Sequence, residues 1–329
     1  MFKRGQIVQN IILGVTICLL ASCVNGHTNE SVKIDRFESD ILQFDKLPDG
    51  SKSAFIDKYR DVLSILNFSV RADTIADLPG LIPATPVYKS FSADVEKRFV
   101  SLDTIAHDLA VLKTSYETMF PGTVFPGIKT FITPFNQSVI VTDTTLLIGL
   151  NHYLGANHPM YGYYEEYQRV NKEPSRIVYD VSEALVRSKF DNGYTGNENT
   201  LLSHMLYEGF VLYAVRAMLD SQDKDNVTGY SHEQSEWSFQ NESNIWNKMI
   251  GDDLLYSKSG VIHSKIIQAA PFVPVISMDC PGRIGCWIGL RIIESYVRNN
   301  KDKNMQLIYN DLKTKKSQTI LMESRYDGK

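Results

Sequence analysis

Residues 200–219 read TLLSHMLYEGFVLYAVRAML, and this stretch constrains the fold more than any other. Leu201, Met205, Leu212, Val215 and Leu219 recur at helical spacing, and most positions between them are apolar too. A helix that is apolar almost all round has to be buried on every side, so the rest of the chain must wrap it. Glu208 stands where that stripe calls for another apolar residue, and His204 lies one turn before it on the same side. A buried carboxylate must be paired, metal-bound or protonated. Gly209 costs a helix about 1 kcal/mol relative to alanine, which points to another backbone passing close. The spacing therefore predicts a structural carboxylate held by an arginine or hydroxyl, with His204 and Glu208 as the candidates should a metal be bound. Arg283, in Pro281-Gly-Arg-Ile-Gly285, has the charge to pair with Glu208 or Glu242, and Glu208–Arg283 is the expected buried polar pair.

The N-terminus reads MFKRGQIVQNIILGVTICLLASCVNG. Lys3 and Arg4 precede an apolar run over residues 11–21, far short of the roughly 20 residues a membrane span needs. Such a charged start and short apolar run are those of a signal peptide over residues 1–22. Leu20-Ala21-Ser22-Cys23 resembles a lipobox, the alternative being an ordinary cleavage after Ala21 or Ser22. Acyl chains on Cys23, each buried CH₂ adding about 0.8 kcal/mol, would hold the protein on a membrane. Residues 23–31 then form the lipidated cysteine and a polar tether, and residues 32–329 a single globular domain. Val24 and Asn25 are not the aspartate of inner-membrane retention, and no acidic export run follows, so the periplasmic face of the outer membrane is the expected location.

Loss of the signal takes Lys3 and Arg4, leaving 32 basic against 38 acidic side chains, a charge of about −6. Nucleic acid is therefore not an expected partner, because binding it needs a basic stripe. Of the remaining cysteines, Cys280 and Cys286 flank a Pro-Gly turn. An oxidising envelope permits a disulfide between them, the alternative being two buried or free thiols.

Helical spacing runs through Phe55, Tyr59, Val62, Leu63 and Leu66, and again over residues 93–119, where Pro121-Gly122 ends it. Short β-branched runs at 130–133, 138–141 and 145–150 look like a small antiparallel sheet, with a first strand near Val32 and Ile34. Helices are expected at 174–190, 200–219, 241–255 and 286–298. The fold class is α+β, helix-rich, with one small, mainly antiparallel sheet. Between sheet and helices, Tyr153, Tyr161, Tyr163, Tyr164 and Tyr167 either pack a long loop or line a groove. Arg176, Asp180, Glu183 and Arg187 at 4-3-4 spacing read as a solvated, salt-bridged face. The chain contains no H-E-x-x-H, C-x-x-C, G-x-S-x-G or P-loop sequence, and no cofactor is expected.

Taken in order, the lipobox, Asn151-His-Tyr-Leu-Gly155, the helix 201–219, Glu236-Trp237, Asn241-Glu242, Ile245-Trp246, Leu254-Leu-Tyr-Ser257 and Pro281-Gly-Arg-Ile-Gly285-Cys-Trp-Ile-Gly289 resemble the gliding motility lipoprotein family GldB of the Bacteroidetes. That resemblance implies a cell-envelope lipoprotein linked to gliding motility and associated secretion machinery. More distantly, the element order with Glu208-Gly209 is similar to the gluzincin metallopeptidases, which implies a degenerate zincin-like architecture. Residues 177–184 contain no histidine, so the usual zinc site cannot form. The leading expectation is a non-catalytic lipoprotein that binds envelope proteins of a motility or secretion complex. The alternatives are a divergent metallopeptidase or other envelope hydrolase using Glu208, and a binder of sugars or peptides using the tyrosine-rich loop.

Overall fold

The computed structural model describes residues 31–67, 75–192, 198–219 and 224–329. The signal segment, Cys23 and residues 24–30 of the tether lie outside them. Strand β1 (Ile34–Arg36) runs directly into α1 (Phe37–Asp40), which is followed by α2 (Asp49–Lys58) and α3 (Arg60–Leu66). The helical spacing from Phe55 to Leu66 is real but interrupted: Tyr59 leaves helical geometry, with φ −113° and ψ 18°. It is fully buried against Phe37 and Phe55, ring centroids 5.1 and 4.9 Å away. After α4 (Leu78–Leu81), the single helix expected over 93–119 is two helices, α5 (Pro86–Arg98) and α6 (Asp103–Met119). The break falls at buried Phe99, whose carbonyl accepts a hydrogen bond from Arg36 Nη1 at 2.8 Å. Ser101 Oγ then accepts from Asp103 N. The apolar stripe crosses the break unbroken, which is why periodicity reads straight through it.

Strands β2 (Gly127–Phe131), β3 (Val139–Val141) and β4 (Thr145–Gly149) complete one sheet in the order β1-β2-β4-β3. It is a mixed sheet, correcting the mainly antiparallel one expected: β1 with β2 and β2 with β4 are parallel, and only β3 with β4 is antiparallel. The register sets Ile34 opposite Ile128, Lys129 opposite Leu147, and Ile140 opposite Leu147. Only the turn after β3 is a hairpin, closed by Thr142 N donating to Thr145 O at 2.8 Å. Residues 132–138 instead carry the chain past the neighbouring position, leaving room for β4 to enter between β2 and β3. Leu146, Leu147 and Ile148 are fully buried, as an inner strand requires.

The second half is helical: α7 (Glu166–Arg169), α8 (Ile177–Lys189), α9 (Leu201–Met218), α10 (His232–Gln240), α11 (Glu242–Gly251), α12 (Gly260–Ile267), α13 (Ile284–Asn299), α14 (Met305–Thr314) and α15 (Ser317–Ser324). The helix expected over 241–255 ends at Gly251 and resumes as a 3₁₀ turn, Leu254–Tyr256, because Asp253 takes a left-handed φ of 52°. α9 is the axis that the sequence demanded. A capping box between Thr200 and Ser203 starts it, and α6, α8, α12, α13, α14 and α15 all pack on it. At Gly209 it crosses α13 at Gly289, backbone on backbone: a Cβ on Gly209 would sit 2.0 Å from the Gly289 carbonyl carbon. Ser31–Lys329 is one compact unit, and no described helix is long and apolar enough to cross a membrane.

Candidate functional site

Helix α8 carries Asp180, Glu183 and Arg187 on one face, with Arg176 in the 3₁₀ turn that leads into it. That face is not the solvated one expected. Arg176 is 7% exposed, and Arg187 turns inward to bridge two carboxylates. Its Nε and Nη2 donate to Glu183 Oε1 at 2.9 and 2.8 Å, while Nη1 and Nη2 donate to the two oxygens of Glu208 at 3.1 and 2.6 Å. Glu208 is thus the paired carboxylate that its helix predicted, 16% exposed, but the guanidinium belongs to Arg187 and not to Arg283. Arg283 Nη1 instead donates to Thr228 O at 3.2 Å. Glu242, the other carboxylate considered for Arg283, accepts from Arg291 Nε and from the Tyr326 hydroxyl, both at 2.9 Å.

The signal for Arg187 was present in the sequence. Three charges on one face of α8, with Arg176 just before it, need an opposing surface if that helix is packed, and α9 offers one carboxylate in an apolar surround. Partial burial raises the Glu183 carboxyl, but Arg283 and Arg187 outweigh it and hold the group below the ordinary range. Asp180 goes the other way: burial pushes it up, against the nearby Arg176 charge and the Tyr153 hydroxyl that donates to it at 2.7 Å.

This layer of alternating charge lies between two clefts. A small one of about 310 Å³ opens beside β3, lined by Asn136, Ser138 and Val139 together with Asp180, Glu183 and Arg187. A larger one of about 950 Å³ is lined by Arg176 and Arg283 together with Glu165, Glu166, Tyr167 and Val170 of the α7 segment. The tyrosine-rich loop divides accordingly. Tyr153 and Tyr161 are core residues, Tyr163 is exposed, and Tyr167 lines the large cleft. Among these residues only the last matches the groove-lining alternative.

His204 does not join Glu208 in a ligand set. Its Nε2 contacts Asn199 Oδ1 at 3.0 Å, its ring centroid is 4.7 Å from that of His263, and burial followed by the His263 charge lowers its basicity. Among the described residues, no three His, Cys, Asp or Glu side chains gather into a metal-holding group. Cys280 and Cys286 are free buried thiols, correcting the disulfide expected. Cys286 sits in the first turn of α13 and its Sγ donates to Ile267 O, while Cys280 Sγ turns to Pro281 O. Burial pushes each thiol up to about 12, which keeps both protonated.

No curated protein and no solved structure matches the chain, so the zincin-like architecture has no support. The family model of the gliding motility protein GldB does match, over residues 23–328. This span starts at the cysteine of the Leu-Ala-Ser-Cys run and takes in the charged layer, both clefts and the α9–α13 crossing, and the chain belongs to the GldB family of gliding motility proteins.

Proposed function

We propose that this gliding motility lipoprotein is held on the periplasmic face of the outer membrane by lipid on Cys23, and that its domain binds another envelope protein without catalysing a reaction. The observation that carries this reading is the large cleft. Its rim combines exposed apolar surface, Val170 at 50% together with Pro271, with the acids Glu165, which caps α7, and Glu166. Apolar anchors within a polar rim are what protein recognition uses. The charged layer behind it is committed to fixed pairs: Arg187 holds both Glu183 and Glu208, which favours architecture over proton transfer.

A photo-crosslinking amino acid placed at Tyr167 in cells tests both parts of the proposal. A discrete crosslinked envelope protein is expected for the lipidated chain. With Cys23→Ala the adduct should fall at least several-fold as the protein leaves the membrane. Equal adducts at Tyr167 and at a remote exposed site such as Met322 would sink the cleft, and unchanged fatty-acid labelling of the Cys23→Ala protein would sink the anchor.

A further inference from the structure

The two most exposed large apolar side chains among the described residues are Val100 and Val124, each 83% exposed. A lone exposed valine needs no explanation, but these two share a location. Val124 stands in the turn between α6 and β2, and β1 runs parallel to β2 with Ile34 opposite Ile128. Carried back two residues, that register sets Val32 beside Pro126, so the chain enters the fold at the end of the sheet that carries Val124. Val100 stands in the turn between α5 and α6. That turn is tied to the same entry: Val32 N donates to Ala106 O at 3.3 Å, and Arg36 Nη1 donates to Phe99 O at 2.8 Å.

Neither valine is exposed for want of a fixed turn. Phe99 before Val100 and Phe125 after Val124 are both buried, and Phe125 N donates to Glu117 Oε1 at 3.2 Å. Residues 118–128 contain no charged side chain, so Val124 can leave water without taking an ion with it. Beside Val100, the exposed Lys97 and Arg98 are offset by the exposed Glu96 and Asp103, and at the entry itself Lys33 pairs with Asp35 at 3.0 Å. Apolar contact, and not net charge, is what this face has to offer.

Chain length says what covers it. Cys23 and Ser31 are eight residue steps apart, at most about 28 Å of fully extended chain. A compact unit the length of Ser31–Lys329 is roughly 50 Å across. With lipid on Cys23, a tether shorter than the domain keeps the entry point close to the membrane and the far side out of its reach. We propose that the face around the chain entry, with Val100 and Val124 as its apolar points, docks on the lipid bilayer and orients the tethered domain. Two valines cannot hold a free protein on a bilayer, but the anchor already confines this one there, so a small apolar contact is enough to fix its orientation. The inference goes beyond the protein-binding reading and rests only on its lipid anchor.

The test reconstitutes the full-length lipoprotein in vesicles of phosphatidylethanolamine and phosphatidylglycerol, with an environment-sensitive fluorophore on Val100→Cys, Val124→Cys or, as control, Met322→Cys. Met322 is 72% exposed on α15, a helix that packs on α9 and α13. Cys280 and Cys286 are buried, protonated thiols and do not compete for the label. Emission at 100 and 124 should rise several-fold on incorporation and be quenched by lipids that carry a spin label on the acyl chain, with position 322 unchanged. Val100→Asp should lower the rise at 124 several-fold at an unchanged melting temperature, since an exposed side chain contributes little to folding. Equal responses at all three positions, or quenching at 322 alone, overturns the inference. So does a discrete protein adduct from a photo-crosslinking amino acid at Val124 in cells, which would give this face to a protein. Vesicle flotation separates the two levels: protein that floats without a response at 100 and 124 keeps its anchor and loses the docking face, and protein that does not float loses both.

Discussion

At the scale of single residues, Glu208 shows how far side-chain chemistry can be read before the fold is known. An apolar helix dictates that its one carboxylate must be compensated, and compensated it is, by two bonds from Arg187. The charged face of α8 pointed to Arg187, but nothing in the sequence set Arg283 aside. Arg187 and Arg283 offer the same group, and the choice depends on α8 laying its charged face on α9 while Arg283 is turned by its left-handed backbone toward Thr228. Glu208→Ala leaves Arg187 with Glu183 alone. Stranding a buried ion costs several kcal/mol, but Arg187 is one-third exposed and water recovers part of that. A loss of about 2 kcal/mol is expected in urea unfolding, and roughly half of that for Glu208→Gln, whose amide oxygen still accepts. Equal losses for the two variants would mean that volume, and not charge, is what the site requires.

At the scale of elements, periodicity located the helices and strands but not their ends or partners. The stripe through 93–119 continues because both α5 and α6 face one core, so the turn between them is invisible to a hydrophobic pattern. The sheet departs from the antiparallel expectation for a related reason: short strands with short connections suggest hairpins, yet residues 132–138 step over one position and make β2 and β4 parallel neighbours. Gly209, by contrast, announced its own use. Two helices approach this closely only where neither carries a side chain, and a Cβ on Gly289 would lie 1.8 Å from Met205 O. Backbone cannot yield as a flexible side chain can, so Gly289→Ala should cost about 3 kcal/mol or more through overpacking. Gly50→Ala in α2, where an added Cβ meets nothing within 4 Å, should change stability by no more than about 0.5 kcal/mol. Comparable melting temperatures for the two variants would show that the crossing is looser than described.

At the scale of the whole molecule, the fold's resistance to acid is set in part where the sheet meets the tyrosine-rich loop. His152 follows β4, is 8% exposed, and contacts Phe135 O through Nε2 at 3.1 Å. Burial, reinforced by the positive charge of Lys172, lowers its pKa to about 4 against the opposing bond to Phe135. The unfolded chain therefore takes up a proton near pH 6.5 that the folded chain refuses until about pH 4. Since the folded value is the lower one, stability from this residue is complete above pH 6.5 and is lost as the pH falls through that window. The loss reaches ~3 kcal/mol. His204, also lowered, acts in the same direction. Asp180, raised by burial, acts in the opposite one, gaining stability as acid protonates it. The net slope mixes these terms, so the informative quantity is the difference between wild type and His152→Gln, whose amide can still donate to Phe135 O. Urea titrations at several pH values between 7 and 4 should show the wild type losing about 3 kcal/mol more than the variant across that range. Parallel curves would mean that the imidazole takes up its proton in the folded state as readily as in the unfolded one, and that the loop opens around it before the core does.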